Sequence, residues 1–197
     1  MKKIWQVILT VSALMALQSF TVMAFGETEK QKYTVVRQEK EFEIRFYPSA
    51  ILATVYSDSK TYRELAYPGF SKLAGYIFGG NKTDTKISMT SPVHMDMNEA
   101  SMSFVMPSAY TEESLPAPDD PEVKLERTED VYVAAIRFGG YASDRDIVKY
   151  SEKLKSLLSE KGIGWYGNFR YLGYNPPFQP FGRRNEIIVN VKWKESE

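Results

Sequence analysis

The segment Tyr174-Asn175-Pro176-Pro177-Phe178-Gln179-Pro180-Phe181-Gly182-Arg183-Arg184-Asn185-Glu186 constrains this chain more than any other. Its three prolines pin φ and remove backbone donors, so it reads as an extended, turned loop rather than a helix or a ladder. Two arginines and an acid then lead into Ile187-Ile188-Val189-Asn190-Val191, which reads as a buried strand. A stiff apolar loop joined to a charged strand entry needs a specific partner surface. The favoured reading pairs an arginine with an acid to hold the loop against a sheet; a second reading lets Arg183 clamp ligand carboxylates.

The opening of the chain is different in kind. Lys2-Lys3 precede an apolar run from Ile4 to Leu17, and Val22-Met23-Ala24 places small or β-branched residues before Phe25. That order predicts a cleavable secretory signal peptide over residues 1–24. The run is shorter than the roughly 20 apolar residues of a membrane span, so no stable span is expected after cleavage. Residues 25–32 read as a flexible lead-in and 33–195 as one domain with its own core. The doubled lysine suggests bacterial export, hence a periplasmic or secreted protein.

Charge and cysteine narrow the function classes. Lysine plus arginine total 25, as do aspartate plus glutamate, a balance that argues against nucleic acid as a partner. Cysteine is absent, which removes disulfides, thiolate metal sites and thiol catalysis.

From Tyr33 the pattern has period two. Phe42, Ile44 and Phe46 alternate with Glu43 and Arg45, predicting a strand with one buried face, and Ile51–Tyr56 follows as another. Phe70, Leu73, Ala74 and Ile77 have helical spacing that stops at Gly79-Gly80. Pro68-Gly69 suits a first turn, so helix over 61–66 is expected to be kinked or separate. Lys86–Val93 and Ser101–Met106 read as strands, and Pro107–Pro121 as a surface connector. Val131–Phe138 is the next strand. A helix capped by Ser143 then runs to about Lys161 on Ile147, Val148, Leu154, Leu157 and Leu158. Phe169–Tyr174 and Glu186–Val191 close the order.

Both halves thus run strand, helix, strand, strand, which reads as a degenerate duplication of a βαββ unit. Two helices are too few to cover both faces of a parallel sheet. The expected fold class is α+β: a curved antiparallel sheet or distorted barrel carrying two helices, with pseudo-two-fold symmetry.

Phe138-Gly139-Gly140-Tyr141-Ala142 together with the Tyr174–Glu186 segment resembles the SOUL heme-binding protein family. Met89-Thr90-Ser91-Pro92-Val93 and Pro116-Ala117-Pro118-Asp119 with Val123-Lys124-Leu125-Glu126 fit the same resemblance. It implies a distorted antiparallel barrel of two βαββ halves. It also implies reversible, non-covalent binding of heme or another tetrapyrrole in an open apolar cleft bordered by the first helix. The fold is similar to effector-binding domains of bacterial multidrug regulators, which hold flat cationic or aromatic ligands between their halves.

Mapped residue by residue, the resemblance places Phe70, Leu73 and Ile77 beside the ligand while their spacing makes them core. Lys72 and Tyr76 lie off that stripe, within reach of a propionate. Met89 pads the pocket, as methionine does well. His94, the only histidine, is the candidate axial iron ligand, because neutral imidazole binds heme iron. No nucleophile–histidine–acid set, phosphate loop or zinc spacing is present. The expected protein is a monomeric, non-enzymatic heme or porphyrin carrier or buffer. Alternatives are a scavenger of other flat apolar or cationic molecules, or a hydrolase using the same cleft.

Overall fold

The computed structural model describes residues 28–59 and 61–193; the expected signal peptide lies outside the described residues. In chain order the elements are β1 (Glu29–Lys30), β2 (Thr34–Gln38), β3 (Glu43–Tyr47), β4 (Ile51–Tyr56) and a first helix (Tyr62–Ile77). Then come β5 (Thr90–Ser91), β6 (Val93–Asp96), β7 (Ser101–Val105), β8 (Lys124–Arg127) and β9 (Val131–Phe138). A second helix (Asp144–Glu160), β10 (Trp165–Gly173) and β11 (Asn185–Val191) finish the domain.

Nine strands form one curled antiparallel sheet in the order β2-β3-β9-β11-β10-β6-β7-β4-β8. The α+β half-barrel read from the sequence is therefore present. Near the middle of the sheet β10 pairs with β6, with Leu172 opposite His94 and Tyr171 opposite Met95. β3, with β2 on its outer side, pairs with β9 at one end of the sheet, and β8 pairs with β4 at the other.

Side chains alternate across a strand, and this sorts the core into two clusters. Ile44, Ala134, Ile136, Ile187 and Val189 point to the face that carries both helices, where they meet Leu65, Leu73, Leu154 and Leu158. Tyr47, Val133, Ala135, Leu172 and Ile188 point the other way and form a smaller cluster with Tyr33 and Tyr174.

Several expectations are corrected by packing. The first helix runs unbroken through Pro68-Gly69. Gly69 faces β7, where an added Cβ would sit 3.3 Å from Met102; close backbone approach there outweighs the local cost of proline in a helix interior. Arg45, expected on a solvated face, is buried because the Tyr33 ring lies over its guanidinium and Tyr47 and Glu186 take up its donors on the second face of the sheet. The strand expected at Lys86–Val93 begins only at Thr90. Part of the lead-in expected to be flexible is ordered: Glu29–Lys30 pairs with Thr90–Ser91, and the Gln31 N–H donates to the Ser91 carbonyl at 2.8 Å.

The helix caps follow the sequence directly. Thr61 and Ser143 are both N-caps, accepting from the backbone N–H groups of Glu64 and Asp146. No helix among the described residues is long and apolar enough to cross a membrane.

Candidate functional site

The first helix presents two different sides. Its core side is closed. Leu73 and Ile77, expected beside a ligand, are fully buried in the main cluster. Tyr76, expected to reach outward, is also buried; its hydroxyl donates to the Pro116 carbonyl at 2.9 Å, and burial pushes its pKa up to about 12. An open slot between the halves, bordered by these residues, is not what the structure forms. Instead the protein's own side chains fill that volume, because helical spacing aims Tyr76 at the same wall as Leu73.

The outer side of the helix is unusual. Tyr67, Phe70, Ala74 and Phe78 are spaced three, four and four residues apart and so share one face. Tyr67 is 81% exposed, Phe78 66% and Phe70 40%. Between them lie Ser71, Ala74 and Gly75, and nothing approaches within 4 Å of where a Gly75 Cβ would be. Small residues between the exposed rings make this side an open, mostly apolar strip, called the trough below. Its length from Tyr67 to Phe78 is roughly 16 Å at the helical rise per residue. Arg63, one turn before Tyr67 and exposed, has no acidic partner among the described residues.

Other expected residues are dispersed. Phe70 is the one that stays on the trough, its ring edge-on to Phe104 at 5.2 Å. Lys72 pairs with Glu122 across the helix flank. Met89 is half-buried against the core. His94 sits on the sheet face opposite the helices, in register with Leu172 and Ser103, and its Nε2 meets Gln31 Oε1 at 2.8 Å. Burial pushes its pKa down to about 3, so the ring is neutral. A ligand on the first helix is beyond its reach.

Arg183 is a loop brace. Its guanidinium donates to the carbonyls of Pro176 at 2.7 Å and Gln179 at 2.9 Å and stacks over Tyr141 at 4.4 Å. The Tyr141 hydroxyl donates back to the Pro177 carbonyl, and Asn185 reaches the Gly140 carbonyl. The two signature segments, one around Phe138–Ala142 and the other at the proline loop, therefore form one unit. Phe178 and Phe181 stand exposed on it.

Arg184 and Glu186 belong to a buried ion cluster on the face away from the helices. Glu186 accepts from Arg45 at 2.7 and 3.0 Å, from Arg184 at 2.9 Å and from the Tyr174 hydroxyl at 2.9 Å. Burial alone would push the Glu186 carboxyl up, but the bonds and charge of Arg45, then Arg184 and Tyr174, hold it below the usual carboxylate range. The arginine–acid pairing read from the sequence is present, with Arg45 as a partner that no local signal could supply.

The matches to known proteins agree with this architecture. A family model described as SOUL heme-binding protein matches residues 28–190. The chain belongs to the SOUL heme-binding protein family. Among its relatives, heme-binding protein 1 of Xenopus laevis is 31% identical over 175 residues, covering 82% of this chain and 91% of that one. Heme-binding protein 1 of Mus musculus is 29% identical, covering 83% and 93%. Heme-binding protein 2 of Homo sapiens is 29% identical, covering 81% and 84%. Among solved structures, the EcmrR C-terminal domain superposes with a TM-score of 0.51 at 11% identity, covering 81% of this chain and 98% of that one. A protein titled a hydrolase, encoded by lin2189 of Listeria innocua, gives 0.50 at 15%, covering 84% and 100%. At such identities the likeness is one of fold alone.

In this SOUL protein the residues suited to a flat macrocycle are thus Tyr67, Phe70, Ala74, Gly75 and Phe78, with Arg63 at the end of the row. Of these, only Phe70 was placed beside the ligand by motif mapping, and its helical spacing assigned it to the core rather than to the open face. Tyr67, Ala74 and Phe78 share its three-four-four spacing, a pattern that looks the same whether it faces core or water.

Proposed function

We propose that this chain is a heme or tetrapyrrole carrier that binds its ligand non-covalently on the outer trough of the first helix. The observation that carries the reading is the exposed Tyr67–Phe70–Phe78 row bracketing small residues. Exposed aromatics scattered singly need no explanation, whereas an aligned apolar strip does. Ser71, Ala74 and Gly75 offer a flat floor, Tyr67 and Phe78 offer rings to pack against a macrocycle's edges, and Arg63 offers a fork to a propionate. Iron coordination by His94 is not part of this reading, since that ring faces the other side of the sheet. Binding comes from apolar burial and one or two charge-assisted hydrogen bonds, which suits reversible loading and release. The protein acts as a buffer and leaves its ligand chemically unchanged, as a monomer.

The test is a titration of hemin into the purified chain lacking residues 1–24. Soret absorbance should shift and saturate near one equivalent, and iron-free porphyrin should compete. A linear, non-saturating response removes the proposal. A periplasmic or secreted location is part of the proposal, and the signal peptide read at residues 1–24 supports it. Fractionation of the expressing bacterium, with N-terminal sequencing expected to begin at Phe25, tests it separately.

A further inference from the structure

The face of the sheet opposite the helices holds a cleft of about 230 Å³ that shares no residue with the trough proposed for heme. Its floor is the Arg45–Glu186–Arg184 cluster, and its walls include Tyr33, Lys40 and Arg137. The charges do not cancel. Four cationic side chains line it against three carboxylates, and one of those, Glu41, is already held by Lys153 of the second helix. Glu43 is engaged by Arg45 Nε at 2.7 Å, and Glu186 is saturated by two arginines and Tyr174.

What is left over is donor capacity. Arg184 makes its bonds through Nε and Nη2, to Glu186 and the Tyr33 hydroxyl, so Nη1 has no bond to the described residues. Arg137 stands directly across from Glu186 in the β9–β11 register, exposed and without an acidic partner among the described residues. Lys40 feels Glu41 only through space. The Tyr33 ring lies against the Arg45 guanidinium at 4.3 Å and holds that wall in place. A cation gains nothing here, because every carboxylate is occupied. An oxyanion meets unspent guanidinium and ammonium donors beside a buried, pre-formed ion cluster.

We propose that this cleft binds a small oxyanion, the carboxylate or phosphate group of a compact metabolite, at a site separate from the trough on the first helix. The volume agrees with a small guest: an engineered cavity of about 150 Å³ takes up benzene. The ligand class is therefore a short organic acid or phosphate rather than a macrocycle. Arg137 and Lys40 provide capture from solvent, and Arg184 Nη1 provides the inner contact.

The experiment is calorimetric titration of the purified chain with succinate and, separately, with inorganic phosphate at low ionic strength. At least one should saturate, and which one does identifies the source of the anion. Arg137→Glu and Lys40→Glu should each weaken that binding by about tenfold or more, with Arg137→Gln falling between wild type and Arg137→Glu. Both positions are exposed, so the melting temperature should stay close to wild type. Hemin titration of the same variants should be unchanged, which separates failure here from failure of the heme reading. Absence of saturation with both anions, or binding indifferent to both charge reversals, overturns the proposal.

Discussion

The two helices do the same structural work and carry opposite surfaces. Each follows a strand, starts at a hydroxyl N-cap and buries leucines in the shared cluster: Leu65 and Leu73 from the first, Leu154 and Leu158 from the second. The second then turns Lys149, Glu152, Lys153 and Lys155 to water, as a surface helix should. Its one large exposed apolar residue is Val148, at 62%. The first instead exposes three aromatics in a row around small residues. The fold demands only the buried stripe that both helices share, so the aromatic row on one of them answers to something other than folding.

That contrast can be broken first at the core. Leu73→Ala and Leu154→Ala remove side chains that are fully buried, and each should cost about 2–5 kcal/mol in urea denaturation. A large cost in one helix and a negligible cost in the other would mean that the two do not share the structural role. The surfaces come next. Tyr67→Glu and Phe78→Glu should each weaken hemin binding by about tenfold, roughly 1.4 kcal/mol, while stability changes little. Val148→Glu on the second helix should leave the hemin isotherm as it was. Equal losses from all three would show that the row has no special role.

Smaller effects sharpen the picture. Arg63→Glu should weaken hemin binding by a fewfold, more at low salt than at high, since a surface pairing with a propionate is screened. Thr61→Ala and Ser143→Ala should each cost about 1 kcal/mol of stability through loss of a cap bond, with matching shifts in the denaturation midpoint. The smallest effect is expected at His94: His94→Gln should leave the spectrum of bound ferric heme unchanged. A changed spectrum would bring that ring to the iron and move the ligand off the first helix.

Legibility differed by element. Ile51–Tyr56 and Val131–Phe138 were readable to the residue, because apolar β-branched runs bounded by breakers leave one option. Ser143 announced the second helix with its own hydrogen bond. Pro68-Gly69 misled, since a local rule places proline at a first turn while packing against Met102 placed it mid-helix. Tyr76 and Phe70 exchanged roles for a related reason. Helical spacing identifies which residues share a face but not which face meets the sheet, and an aromatic ring is at home on either. His94 followed from strand parity: a one-residue offset from Met95 put it on the face away from the helices.

The sequence by itself determined the class of fold, the order of its elements, the stiff proline loop with its arginine–acid partner, and membership of a heme-binding family. These rest on short-range rules: proline geometry, alternation, capping and motif spacing. Only the tertiary structure decided which side of the first helix is open, that Arg45 travels across the chain to close on Glu186, and that a cationic cleft lies behind the sheet. Those outcomes depend on contacts between residues far apart in the chain, whose partners no local pattern specifies.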